Sequence, residues 1–134
     1  MRINRIQSDE LHPTPGYHHV TIAEAGRTAY LAGQCPLDGS GTVVGPGDLM
    51  AQVDQVAVNA LAALSVAGAA PGDVVRSVIY VASDDTAELA AVWRRLNAGP
   101  IAQAFTTAGT LLGVAALGFP GQLVEVDLTA ALAA

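Results

Sequence analysis

The stretch from residue 51 to residue 83, AQVDQVAVNALAALSVAGAAPGDVVRSVIYVAS, changes its hydrophobic period partway along. Around its first half, apolar side chains recur at helical spacing from Leu49 to Leu64, and Asp48 and Gly68 are residue types typical of a helix start and stop. After a Pro-Gly turn, residues 76–82 contain the apolar run VIYVA, which is typical of a strand buried on both sides. The stretch therefore predicts an amphipathic helix followed by a buried strand.

The segment before this block is rich in strand and turn residues. Residues 19–25 and 28–34 predict two strands, and the Gly26-Arg27 pair between them predicts a hairpin. A loop rich in glycine and aspartate follows, with at most a short strand at residues 42–44.

The segment after the block predicts a second helix and two further strands. Four apolar residues form the stripe of that helix: Leu89, Val92, Trp93 and Leu96. Arg94 and Arg95 are expected on its solvated side and Trp93 in the core. The apolar run TLLGVAAL at residues 110–117 predicts a strand.

The last predicted strand, QLVEVDLTAA at residues 122–131, alternates strictly. Val124, Val126 and Leu128 share one face, and Leu123, Glu125, Asp127 and Thr129 share the other. The element order is then β-β-(β)-α-β-α-β-β, which predicts an α+β two-layer sandwich with two helices on one face of a mixed sheet. We expect one domain over residues 1–134. Because several strands are apolar on both faces, we expect a second copy of the chain to cover the open face of the sheet.

Composition excludes several classes of function. Apolar residues make up 51% of the chain and charged residues 13%, so the chain is globular and has little surface charge, which again suggests subunit contacts. The formal net charge of −6 disfavours a nucleic-acid partner, and no segment is expected to cross a membrane or direct secretion. All six basic residues are arginines, which excludes lysine Schiff-base chemistry and a phosphate-binding Walker lysine. We expect a cytoplasmic protein without a metal or cofactor.

Four segments carry a resemblance to a known family: PGYHHV at 15–20, YLAGQCPLD at 30–38, the block at 51–83, and LVEVDLTA at 123–130. Together with the element order they resemble the RidA/YjgF family over nearly the whole chain. The resemblance implies a chorismate-mutase-like subunit assembled as a homotrimer with clefts between neighbouring subunits. Archetypal members hydrolyse reactive enamines and imines released by pyridoxal-dependent dehydratases, giving keto acids and ammonia.

The family's site residues carry over only in part. The resemblance places a pocket tyrosine on Tyr17 and the water-positioning glutamate on Glu125. The family's SGQ motif is AGQ here, so its serine falls on Ala32 while Gly33 and Gln34 are kept. The arginine of the PARS or PART motif, which holds the substrate carboxylate, falls on Gly109, and a helix asparagine falls on Trp93.

Three further residues are candidates near the cleft. His18 stands where the family has serine, and it could supply a replacement cation or a general base. His19 alone is unremarkable for the family. Cys35 is either a small buried side chain, which is the commoner case, or a nucleophile with His18 or His19 as its base, which requires a lowered thiol pKa.

We therefore expect a RidA/YjgF-like homotrimer that acts on a small organic molecule by acid–base chemistry, with Glu125 and Tyr17 as principal residues. Loss of the anchoring arginine predicts a neutral, apolar or bulky substrate and the absence of ordinary 2-imino acid deamination. Hydrolysis, tautomerisation, and cyclisation or condensation in secondary metabolism remain open. The alternatives are a non-catalytic binding or holdase module, a residual enamine/imine deaminase, and a ribonuclease, which the acidic charge disfavours.

Overall fold

The computed structural model describes residues 2–133. Their strands and α-helices follow the order β1-β2-β3-α1-β4-α2-β5-β6. The strands are β1 (Ile3–Ile6), β2 (Val20–Ala23), β3 (Thr28–Tyr30), β4 (Val74–Val81), β5 (Ala108–Gly113) and β6 (Val124–Ala131), and the helices are α1 (Leu49–Val66) and α2 (Thr86–Asn97).

The main sheet has four strands in the order β3-β6-β4-β5. β4 and β5 are parallel and the other two pairings are antiparallel, so the sheet is mixed. Both helices contribute to the core on one face of this sheet, which confirms the predicted α+β architecture with two helices on one side. β1 and β2 form a separate two-stranded antiparallel sheet.

The alternation of β6 sorts its side chains as predicted. Val124, Val126 and Leu128 are buried beneath the helices, whereas Glu125 and Asp127 are only half-buried. Because residues paired in register point to the same side, Ser77 and Ile79 of β4 join the helix face and Val78 and Tyr80 join the opposite face. The sheet therefore has one buried face and one face that the described chain leaves uncovered.

Helix α1 begins and ends where the sequence predicts. The Asp48 carboxylate caps its first turn by accepting a hydrogen bond from the Ala51 amide, and Gly68 follows its end with a positive φ of 75°. On length and composition, with a mean hydropathy of 1.4, this helix could cross a membrane. Its apolar stripe instead packs on the sheet as the core helix of the fold.

Gln52 of α1 joins two loops at the edge of the core. Its fully buried side chain donates to the carbonyl oxygens of Gly45 and Gly121, at 3.2 and 3.0 Å, and accepts from the Leu123 amide at 2.8 Å. All the hydrogen-bonding groups of this amide are thereby satisfied, which removes the cost of burying it. The turn before β6 is fixed to the helix through this one side chain.

The predicted hairpin between β2 and β3 is wrong. β2 pairs with β1, and its pairing continues as the Glu24 amide donates to the Arg2 carbonyl. β3 pairs with β6 instead, and the Leu132 amide donates to the Arg27 carbonyl beyond it. Gly26 lacks the positive φ of a two-residue hairpin turn, so the chain crosses from one sheet to the other here. The possible strand at residues 42–44 is reduced to a single bridge between Leu37 and Val43.

Candidate functional site

Glu125 lies in the middle of β6 on the uncovered face of the main sheet. The segment after β3 runs beside it, since Gln34 and Val126 exchange backbone hydrogen bonds of 2.7 and 3.1 Å. This pairing places Gly33 directly against the carboxylate: a Cβ at Gly33 would lie 2.2 Å from Glu125 Oε2. A glycine is therefore required at this position for Glu125 to hold its present conformation.

Two side chains hold the other carboxylate oxygen. Gln122 Nε2 donates to Glu125 Oε1 at 3.1 Å, and the Cys35 thiol donates to the same oxygen at 3.3 Å. Gln122 is itself buried and fixed, because its amide also donates to the Val124 carbonyl and accepts from the Phe119 amide. Glu125 is thus a half-buried carboxylate with an amide donor, a thiol donor and a glycine around it.

The Cys35 thiol is held in its protonated form. Burial and the adjacent Glu125 carboxylate raise its pKa from 9.0 to about 11, while the Gln122 amide opposes this shift. A nucleophilic thiol needs the opposite shift, so the structure gives no support to Cys35 as a nucleophile. Its observed role is that of a hydrogen-bond donor to Glu125.

The two candidate histidines make contacts elsewhere. The His18 ring bonds the Thr106 carbonyl through Nδ1, and the His19 ring bonds the His12 carbonyl through Nε2 at 2.8 Å. Neither ring is bonded to Cys35 within residues 2–133, so the expected thiol–histidine pair is not formed. Across the same residues, no group of three or more His, Cys, Asp or Glu side chains is arranged to hold a metal ion.

Tyr17 lies at a second place, in a cavity of about 580 Å³ between α2 and β5. Its ring meets the Trp93 ring edge-on at 6.1 Å between centroids, and its hydroxyl bonds His12 Nε2 at 2.8 Å. The cavity is lined by Pro15, Tyr17, Ala90, Trp93, Arg94, Gly109, Thr110 and Leu111. Tyr17 and Gly109, two residues that the resemblance assigned to the cleft, therefore line the same cavity.

Trp93 was expected in the core and is only half-buried. One side of its indole packs on the buried Phe105 ring at 6.0 Å, its Nε1 donates to the Pro15 carbonyl at 3.3 Å, and its other side lines the cavity. The two arginines that follow it are exposed, as predicted. Trp93 is therefore part of the cavity wall as well as of the packing behind it.

Gly109 leaves little room for any side chain. A Cβ at this position would lie 2.8 Å from the Ser77 hydroxyl oxygen on the neighbouring strand. Gly109 pairs in register with Ser77, and its missing side chain would point to the helix face, where the Tyr17 cavity lies. Replacing this glycine with the arginine of the family pattern would require Ser77 to move.

The candidate site residues fall into two separate groups within one chain. Glu125 belongs with Gly33 and Cys35, whereas Tyr17 lines a different cavity with Gly109. A further cavity of about 440 Å³ is lined by Gly33, Gln34, Cys35, Leu37, Asp38, Gly39, Asn59 and Phe119. Ala32 lies beside this group, exposed, with its carbonyl accepting from the Gln34 side chain at 3.0 Å.

Two residues of the Glu125 group were not predicted from the sequence. Gln122 stands three residues before Glu125, and Asn59 of α1 donates to the carbonyls of Cys35 and Leu37 at 2.9 and 2.8 Å. Asn59 thereby fixes the loop that presents the thiol. The polar face of α1 is a signal that could have directed attention to Asn59, while nothing in the local pattern singles out Gln122.

Comparison with known proteins agrees with this fold. The family model described as Endoribonuclease L-PSP matches residues 7–132. The chain belongs to this family, the RidA/YjgF family.

Solved structures give the same result. The chain is similar to YyfB of the conserved Rid protein family from Yersinia pestis, a protein of unknown function, with 36% identity over 98% of this chain and 100% of that one, at a TM-score of 0.89. It is also similar to RidA from an Antarctic Psychrobacter bacterium, with 26% identity over 96% and 99% of the two chains, at a TM-score of 0.67. No curated protein matches the chain.

Proposed function

We propose that the chain forms a homotrimer in the cytoplasm and acts, in the clefts between subunits, on a small organic molecule with a bulky apolar part. Glu125 is the proton acceptor and donor in this proposal, and Tyr17 lines the pocket. The observation that carries it is the Glu125 carboxylate, half-buried and fixed by Gln122 and Cys35 on a sheet face that nothing in the described chain covers. Most carboxylates on protein surfaces are solvated and are not held by buried hydrogen-bond donors in this way.

The division of the candidate residues supports a site completed by a second subunit. Glu125 and Tyr17 lie in separate groups within one chain, so a cleft that uses both needs residues from two chains. The uncovered sheet face also carries apolar side chains, among them Val78 and the 41%-exposed Leu112. Burying this surface against another copy would supply association energy in proportion to its apolar area.

The reaction class that fits is hydrolysis of a C=N bond. Water adds to the carbon of the protonated imine while the Glu125 carboxylate accepts one of the water protons, which gives a carbinolamine. Glu125 returns that proton to the nitrogen, the C–N bond breaks to release ammonia, and the hydroxyl proton passes to the Glu125 carboxylate as the carbonyl forms. The products are a carbonyl compound and ammonia. Tautomerisation uses the same carboxyl group to move a proton between two atoms of the substrate.

Ordinary deamination of small 2-imino acids is not part of this proposal. Removing one side of a buried guanidinium–carboxylate pair costs about 2–5 kcal/mol, which lowers binding by roughly thirtyfold or more. Gly109 offers only backbone at the family's arginine position. The ribonuclease activity named in the family description is disfavoured for this chain by its net charge of −6.

The activity is tested with imines generated by an amino-acid oxidase and trapped in competition by semicarbazide. We expect the wild-type protein to hasten loss of the phenylalanine-derived imine and to leave the alanine-derived imine at its uncatalysed rate. Glu125→Gln should abolish the effect, whereas Asp127→Asn, on the same strand face, should keep it. Glu125-dependent hydrolysis of the alanine-derived imine would show that ordinary deamination persists. Absence of turnover with both imines would favour the non-catalytic binding module.

The assembly is tested separately by sedimentation. We expect wild-type protein to sediment at three times the mass of one chain. Val78→Asp, on the uncovered sheet face, should dissociate it, and Val58→Asp, on the exposed side of α1, should not. A wild-type monomer at micromolar concentration would refute the trimer and, with it, the shared cleft.

A further inference from the structure

Arg94 is the single charged residue among those that line the cavity between α2 and β5. Within residues 2–133 its guanidinium forms no hydrogen bond or ion pair with another side chain or a carbonyl group. The positions one turn away on α2, which are Ala90, Ala91, Asn97 and Ala98, carry no acid that could neutralise it. The cavity therefore has an uncompensated cation at its rim.

Most other arginines of the chain are engaged. Arg95, the next residue, makes a two-pronged ion pair with Asp54 at 2.9 and 2.7 Å on the outer side of the helices. Arg2 and Arg5 hold the loop before β4, and Arg76 donates to Thr110 Oγ1 at 2.9 Å. Favourable interaction with the helix dipole accounts for basic residues in the last turn of α2. The helix dipole does not explain why Arg94 borders an aromatic cavity while its guanidinium has no partner among the described residues.

The rest of the cavity is mainly aromatic and apolar. Tyr17 and Trp93 stand edge to face, and Leu111 and the Cα of Gly109 complete the wall toward β5. A volume of about 580 Å³ is within the range of small-molecule sites, which are commonly lined by aromatic side chains with a few polar groups that set orientation. A guanidinium matches a carboxylate in planar geometry and can bind it through two parallel hydrogen bonds.

We propose that this cavity binds a monocarboxylate with an aromatic or other apolar body, with the carboxylate at Arg94 and the body against the wall that Tyr17 and Trp93 form together. Arg94 is then a specificity-determining residue: it provides from α2 the cation that Gly109 cannot provide from β5. The inference rests on the proposed function for the use of the Tyr17 pocket as the ligand site. It keeps the expected bulky, apolar body of the ligand but replaces the expected neutral molecule with an anion.

The experiment uses the fluorescence of Trp93, the single tryptophan of the chain, as a direct reporter of this cavity. Phenylacetate and phenylacetamide are titrated in parallel, because they share a ring and differ in charge. We expect phenylacetate to bind about fivefold more tightly, which is the size of effect that a partly exposed ion pair gives. This preference should shrink with added salt.

Three variants locate the cation. Arg94→Gln should remove the preference for phenylacetate, and Arg95→Gln, the matched loss of a charge one residue away, should keep it. Arg76→Gln should also keep it, since that guanidinium is already bonded to Thr110. A preference that survives in Arg94→Gln, or that is lost only in Arg76→Gln, overturns the assignment. No fluorescence change with either compound up to about 10 mM, where a complex with a Kd of about 1 mM would be largely formed, overturns the ligand class.

Failure of this inference and failure of the proposed function give different results. The titrations report binding and do not depend on turnover. Imine hydrolysis that depends on Glu125 but is unaffected by Arg94→Gln would leave the proposed function standing and reject Arg94 as the anchor. Charge-selective binding that depends on Arg94, without any turnover, would support Arg94 as the anchor and reject the proposed catalytic function.

Discussion

The Cys35 thiol should be unusually slow to react, and the structure sets the size of the effect. Its pKa is raised from 9.0 to about 11, first by burial and then by the hydrogen bond and negative charge of Glu125. At pH 7 a thiol with a pKa of 9.0 is about 1% ionised, and one with a pKa of 11 is about 0.01% ionised. Because only the thiolate is alkylated, the folded protein should react about a hundredfold more slowly than the same chain unfolded.

The assay is the rate of iodoacetamide labelling as a function of pH. Restricted access would lower the whole curve by a constant factor, whereas a raised pKa moves the inflection to higher pH. The two causes can therefore be separated in one data set. We expect the logarithm of the labelling rate in the folded protein to rise by one unit per pH unit through pH 9. The rate should level off near pH 11.

Glu125→Gln dissects the shift further. It removes the carboxylate charge but leaves the burial, which is the larger cause, so the inflection should move only part of the way toward pH 9. Asp127→Asn, which changes a carboxylate with no bond to the thiol, should leave the curve unchanged. An inflection at or below pH 9 in the folded wild-type protein would refute the account of the Cys35–Glu125 contact given above.

Three further predictions concern stability and use denaturant unfolding. Gly33→Ala places a Cβ against the Glu125 carboxylate and should lower the free energy of unfolding by about 1–3 kcal/mol. Gly39→Ala, where a Cβ meets open space, should lower it far less. Equal losses in the two variants would contradict the close packing of Gly33 against Glu125. Asp48→Ala removes the N-cap of α1 and should cost about 1 kcal/mol, and a neutral result would argue against the cap. Because the pKa of Cys35 is raised in the folded state, its contribution to stability is present below pH 9 and is lost as the pH rises toward 11, so wild type should lose stability relative to Cys35→Ala over that interval. An unchanged difference between the two proteins across that pH range would contradict this linkage.

Local periodicity was sufficient to predict both helices and the inner strands. The spacing from Leu49 to Leu64 sets the buried stripe of α1, and alternation in β6 sets which side of the strand Glu125 occupies. These features depend on neighbours in sequence, which a single chain displays directly.

Strand pairing was beyond the reach of the same reasoning. β1 begins at the polar start of the chain and gives no alternation to detect, so β2 seemed to need β3 as its partner. The pairing of β3 with β6 joins segments about a hundred residues apart, and no local signal specifies it.

In the candidate site, too, the sequence identified single residues but not the contacts between distant segments. Glu125 was identified through the resemblance, but its contacts with Gly33 and Cys35 arise from non-local pairing of the chain beside β6. Trp93 read as core because its spacing matches the buried stripe of α2. Only the structure shows that one side of its ring faces a cavity.

The buried Gln52 amide has a consequence for the position of Glu125. Because Gln52 bonds the Gly121 carbonyl and the Leu123 amide, the turn that enters β6 is fixed to helix α1 on one face of the sheet. Glu125 follows Leu123 by two residues, and its carboxylate lies on the other face of the sheet. The place of the candidate catalytic carboxylate therefore depends on a helix side chain that makes no contact with the site.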